Sequence, residues 1–219
     1  SDSCVSVVGC LFYFLLLGGW RPPRSSQGRS WAAADGYKGK GEYLFSNYAE
    51  WLVESIKAAS KNSEVEWFIK IHPSNMWRGE LEYYHKGIYE EVRLIEAYVG
   101  ELPPHVRLVY PDTPYSPLTW LEIADYGITV TGTSGIELGA LGKAVVTAGT
   151  GRYEKVGFTI NPKNKVEYLD VLANIQDYPM PSESQTELGK KLAYATFCMK
   201  PYKLDFLTPV PDTHLTLPT

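Results

Sequence analysis

The stretch Gly127-Ile128-Thr129-Val130-Thr131-Gly132-Thr133-Ser134-Gly135-Ile136-Glu137-Leu138-Gly139-Ala140-Leu141-Gly142-Lys143-Ala144-Val145-Val146-Thr147-Ala148 decides the fold. Residues 127–131 are β-branched apart from one glycine and read as a buried strand. Residues 135–141 read as a short helix, and 144–148 return to a strand. A strand, a helix and a strand in so short a span form a βαβ unit, whose strands run parallel.

The same alternation extends outward. Tyr48, Trp51, Leu52, Ile56 and Ala59 recur at helical spacing after Ser46, a suitable N-cap. Residues 64–71 alternate and then turn mostly apolar, as a strand does. Residues 80–98 carry apolar residues at helical intervals among charges and aromatics. A short strand follows at 107–110, then a short helix over 117–124 with Pro117 in its first turn, where proline is favoured. Two further helices are predicted over 166–175 and 186–199. Strands alternating with helices predict an α/β fold: a Rossmann-like parallel sheet flanked by helices.

The ends read differently. Residues 5–20 are almost wholly apolar, yet fall short of the roughly 20 residues a spanning helix needs. No basic segment precedes them as in a signal peptide. A breaker-rich run, Arg21-Pro22-Pro23-Arg24, follows. Three readings fit residues 1–42: a buried strand, a membrane-proximal segment, or sequence unrelated to the fold. The domain is therefore placed at 43–207. Residues 208–219, with Pro209, Pro211 and Pro218, are expected to form a disordered tail.

Composition narrows the function. A 219-residue chain that is 44% hydrophobic can bury a core. Its net charge of −4 lacks the basic excess of a nucleic-acid binder, so no nucleic-acid partner is expected. Sixteen Tyr and six Trp suit both cores and sugar-binding clefts. Cys4, Cys10 and Cys198 have no metal-site spacing, so no metal centre is predicted, and a reducing, cytoplasmic compartment fits.

Ligands of open α/β sheets sit outside the carboxyl ends of the strands, so the loops after strands matter most. After the first comes His72-Pro73-Ser74-Asn75. A histidine there can bond phosphate or a sugar hydroxyl and do acid–base work, or it can simply occupy a turn. After the strand at 127–131 comes Thr131-Gly132-Thr133-Ser134-Gly135-Ile136-Glu137. Free N–H groups and the helix dipole favour an anion at Thr133, Ser134 and Gly135, and Glu137 can accept ribose hydroxyls. Ser134-x-x-Glu137 also fits a capping box. After 144–148 comes Gly149-Thr150-Gly151-Arg152-Tyr153. Gly149 permits close approach, Arg152 can pair with phosphate, and Tyr153 can stack on a base or sugar; a plain surface loop fits too. A fourth loop, 111–117, can close the cleft or merely connect. Neither a Walker motif nor Gly-x-Gly-x-x-Gly nor Asp-x-Asp is present.

Taken in order, Trp67-Phe68-Ile69-Lys70-Ile71-His72-Pro73, Leu121-Glu122-Ile123-Ala124-Asp125-Tyr126, Thr133-Ser134-Gly135-Ile136-Glu137, Leu141-Gly142-Lys143-Ala144-Val145-Val146 and Gly157-Phe158-Thr159 resemble the capsule polysaccharide biosynthesis family. Members of that family are GT-B glycosyltransferases, and the similarity covers roughly residues 43–175. The resemblance implies the donor-binding C-terminal half of such an enzyme. His72, Ser134 and Glu137 would hold the phosphates and ribose of a nucleotide-sugar donor, with no cofactor and no essential metal. It also implies a glycan or lipid-linked acceptor, peripheral association with the inner membrane face, and an N-terminal acceptor domain for which residues 1–42 are too few. Two other readings stand beside it. One is a CDP-polyol phosphotransferase of the teichoic-acid type or a sugar-nucleotide 2-epimerase. The other is a non-catalytic nucleotide-binding module.

Overall fold

The computed structural model describes residues 6–7, 44–71, 89–130, 132–149 and 153–199. The tail at 208–219, the helix start at 80–88 and most of 1–42 lie outside the described residues.

The elements run β1 (Ser6–Val7), α1 (Tyr48–Lys61), β2 (Glu66–Lys70), α2 (Glu90–Tyr98), β3 (Val106–Val109) and α3 (Pro117–Ile123). They continue with β4 (Tyr126–Thr129), α4 (Ser134–Ala140), β5 (Ala144–Thr147), β6 (Thr159–Ile160), α5 (Lys165–Ala173) and α6 (Glu183–Tyr194). A 3-10 turn, Ile175–Asp177, follows α5, and a π turn, Ala195–Met199, extends α6.

All six strands are parallel, in the order β3-β2-β1-β4-β5-β6. β1 sits at the centre, pairing Ser6 with Glu66 and Val7 with both Trp67 and Tyr126. A domain boundary at residue 43 therefore leaves out a strand of the sheet. The strand at Ser6–Val7 lies within the segment read as preceding the domain. β6 has no counterpart among the strands read from the sequence, because its two residues carry no periodicity.

Alternation along the strands divides the core. Trp67, Ile69, Ile128, Ala144 and Val146 point to the face covered by α1, α2 and α5. Val145 and Phe68 point to the other, where Leu121 and Ala124 meet Leu138 of α4. Every residue of β4 and β5 is buried, as strands covered on both faces must be.

Local chemistry fixes the helix ends. Asn47, not Ser46, caps α1: its side chain accepts the Glu50 N–H at 2.8 Å, while the Glu50 carboxylate accepts the Ser46 N–H at 2.9 Å. α4 stops at Gly142, whose φ of 73° only glycine adopts cheaply. There the Gly142 and Lys143 N–H groups donate to the Gly139 and Leu138 carbonyls at 3.2 and 3.0 Å, closing a Schellman motif. Among the described residues no helix is long and apolar enough to cross a membrane.

Candidate functional site

The strand order reverses at β1, which has β2 on one side and β4 on the other. Such a switch point opens a crevice at the carboxyl edge, because neighbouring connections leave in opposite directions. The loop from β4 to α4 stands directly beside it and carries Gly132, Thr133 and Ser134.

This loop is tightly held. Thr129, fully buried at the end of β4, accepts the Gly132 N–H on Oγ1 at 3.1 Å. The Gly132 carbonyl accepts the Tyr153 hydroxyl at 2.8 Å and the Gly135 N–H at 3.1 Å. The Thr133 carbonyl accepts the Ile136 and Glu137 N–H groups at 2.9 and 3.1 Å. Three N–H groups at the start of α4 are thus spent inside the loop. A phosphate here meets fewer backbone donors than the sequence alone suggests.

Ser134 is the first residue of α4, after the N-cap Thr133, whose own side chain makes no capping bond. The capping box read from Ser134-x-x-Glu137 does not form, because the Glu137 N–H bonds the Thr133 carbonyl instead. The Ser134 hydroxyl is buried, with the residue 3% exposed, and finds no hydrogen-bond partner among the described residues. A buried hydroxyl left unsatisfied costs roughly 1–3 kcal/mol. Folding thus leaves a buried hydroxyl beside the switch point with no partner among the described residues. Glu137, one turn on, is half-buried, and desolvation raises its pKa above the ordinary carboxylate value.

The β5–β6 loop differs from expectation at Tyr153. The ring is 2% exposed and stacks on Phe158 at 5.9 Å, so it forms part of the core rather than a platform for a base. Gly135 makes room for it: a Cβ there would collide with the Tyr153 hydroxyl and ring. Gly149 is buried at the end of β5, where the preceding Ala148 carbonyl accepts the Leu44 N–H at 3.4 Å. His72 and Arg152 lie outside the described residues. The structure therefore brings together Thr133, Ser134, Gly135 and Tyr153 around one loop, with Glu137 on the next turn.

Sequence reasoning missed Thr129. The signal was present: a hydroxyl-bearing residue inside an otherwise apolar strand needs a partner, and the nearest free donor is the following glycine loop. Among the described residues no group of three or more His, Cys, Asp or Glu side chains could hold a metal ion.

No family model matches the chain, and no curated protein matches it. Among solved structures it is similar to a spinosyn rhamnosyltransferase, SpnG, complexed with spinosyn aglycone: 15% identity, a TM-score of 0.36, covering 65% of this chain and 35% of that one. The chain thus spans about a third of that enzyme's length.

Proposed function

We propose that this chain carries the nucleotide-sugar-binding half of a glycosyltransferase of surface-polysaccharide synthesis, with the donor at the β1–β4 switch point. The observation that carries the reading is the buried, unpartnered Ser134 hydroxyl on the loop beside that point. A phosphate oxygen is the acceptor that would satisfy it. The His72-Pro73 and Ser134-Gly135-x-Glu137 elements support the reading through their resemblance to the capsule polysaccharide family.

In this mechanism Ser134 donates to a donor phosphate, and Glu137 accepts ribose hydroxyls. The acceptor hydroxyl attacks the anomeric carbon, the bond from that carbon to the phosphate oxygen breaks, and the nucleotide leaves with the electron pair. The domain contributes positioning and stabilisation of the leaving phosphate. His72 would accept the proton that the attacking hydroxyl loses. A glycan or lipid-linked acceptor would be held by a separate domain, near the membrane face.

Calorimetric titration of the full chain with CMP, CDP, UDP and GDP tests this, beside Ser134→Ala and Glu137→Ala. Selective binding that weakens in both variants is expected, and the preferred nucleotide identifies the donor class. CDP preference would move the reading to polyol-phosphate transfer. Absence of binding by the folded chain would sink the donor site.

A further inference from the structure

Resting on that donor-site reading, we propose that Tyr153 is a positioning residue. Its hydroxyl latches the Gly132 carbonyl and so sets the loop that presents Ser134 to the ligand. Tyr153 is 2% exposed, and its ring stacks on Phe158 in the core. Its influence passes through Gly132, which is held at both its backbone N–H and its carbonyl. The N–H donates to Thr129 Oγ1 at 3.1 Å, and the carbonyl accepts the Tyr153 hydroxyl at 2.8 Å. Two side chains from different parts of the chain, one ending β4 and one in the β5–β6 loop, therefore fix the residue two before Ser134.

Three further features agree. Gly135 has no Cβ, and one there would push the Tyr153 hydroxyl off its acceptor. Gly139 leaves similar room for Phe158, the ring stacked on Tyr153 with an interplanar angle of 25°. The Gly132 carbonyl also accepts the Gly135 N–H, so loss of the tyrosine hydroxyl leaves it satisfied. The latch is thus not needed to pair a buried group; what it adds is direction. A loop held in one arrangement before binding has less freedom to lose when the ligand arrives.

The test uses the full chain, the four nucleotides CMP, CDP, UDP and GDP, and four variants. Tyr153→Phe removes the hydroxyl and keeps the ring. Thr129→Val removes the grip at the other end of Gly132, and Thr129→Ser retains it. Tyr168→Phe, in the distant α1–α5 contact, serves as a destabilised control. Tyr153→Phe and Thr129→Val are expected to bind the preferred nucleotide roughly tenfold more weakly, the equivalent of one lost hydrogen bond. Thr129→Ser should bind like the parent, and Tyr168→Phe should melt lower with unchanged affinity. Unchanged affinity in Tyr153→Phe would make the tyrosine a packing residue only and overturn the latch while the donor site stands. Should Tyr153→Phe fail to fold, unchanged affinity in Thr129→Val overturns it equally. A parent chain that binds none of the nucleotides overturns the donor site and the latch together.

Discussion

At the scale of single residues, Ser134 offers a test in which two explanations predict opposite signs. A capping serine replaced by alanine costs the fold about 1 kcal/mol. A buried hydroxyl without a partner costs the fold while it is present, so Ser134→Ala should stabilise the unliganded chain by up to about 1 kcal/mol. Urea unfolding without nucleotide decides, and a loss of stability would restore the capping role. Glu137 gives a pH signature. Burial raises its pKa, so between the ordinary carboxylate value and the raised one the folded chain keeps a proton that the unfolded chain has lost. Stability therefore falls as pH rises through that window. Glu137→Gln carries no such proton, so its melting temperature should gain on the parent as pH rises out of the ordinary carboxylate range. Parallel pH profiles would contradict the burial of the carboxylate. The pairing of Ser134 with Glu137 was legible from spacing alone. Which residue caps was not, because that depends on the helical φ and ψ of Thr133, −61° and −27°, and no composition rule fixes them. Tyr153 was legible as a residue of the site region, but its burial depends on Phe158 and Gly135, which only the fold brings to it.

At the scale of elements, α4 and α6 cross so closely that Gly189 touches backbone. A Cβ on Gly189 would lie 2.5 Å from the Gly139 carbonyl carbon and oxygen. Helix propensity alone predicts that Gly189→Ala gains about 1 kcal/mol. Overpacking against backbone, which cannot rotate away, costs about 1–3 kcal/mol and should win. A shift of the urea midpoint to lower concentration is expected, and a shift upward would mean that the helices separate without penalty. On the opposite face, Tyr168 is fully buried between α5 and α1. Its hydroxyl accepts the Trp51 indole N–H at 2.8 Å and lies 2.8 Å from Ser55 Oγ. Tyr168→Phe leaves both groups buried without that partner and should cost about 1–3 kcal/mol, read by the same unfolding curve. The helices themselves were legible because their signals are local: apolar spacing and the proline that opens α3, whereas the Ser182–Gln185 capping box that starts α6 went unread. Their boundaries moved where tertiary contacts intervene. The helix read over 186–199 begins at Glu183 and gives way to a π turn at Ala195–Met199.

At the scale of the whole molecule, the question is what completes the sheet. The parallel class followed from alternation of strands and helices, but the strand order did not, because periodicity carries no information about which strands are neighbours. The central place falls to Ser6–Val7, two residues within an apolar run too long for a strand and too short for a membrane span. Without them the sheet would split into a β3-β2 pair and a β4-β5-β6 group with no hydrogen-bonded link. The backbone edges of β2 and β4 would then lose their shared partner, and Trp67, Ile69, Tyr126 and Ile128, all buried on one face, would lie along the gap. Open edges and exposed apolar surface at the centre of a sheet favour aggregation and local unfolding. Removal of residues 1–43 is therefore expected to abolish a single cooperative unfolding transition and to increase amide exchange in β2 and β4 more than in β5. The switch point should fail with it, because the strand order reverses only where β1 separates the two halves. A truncated chain that unfolds in one transition at the parent's urea midpoint would show that the sheet closes without β1, and the donor crevice would then have to be placed elsewhere on the carboxyl edge.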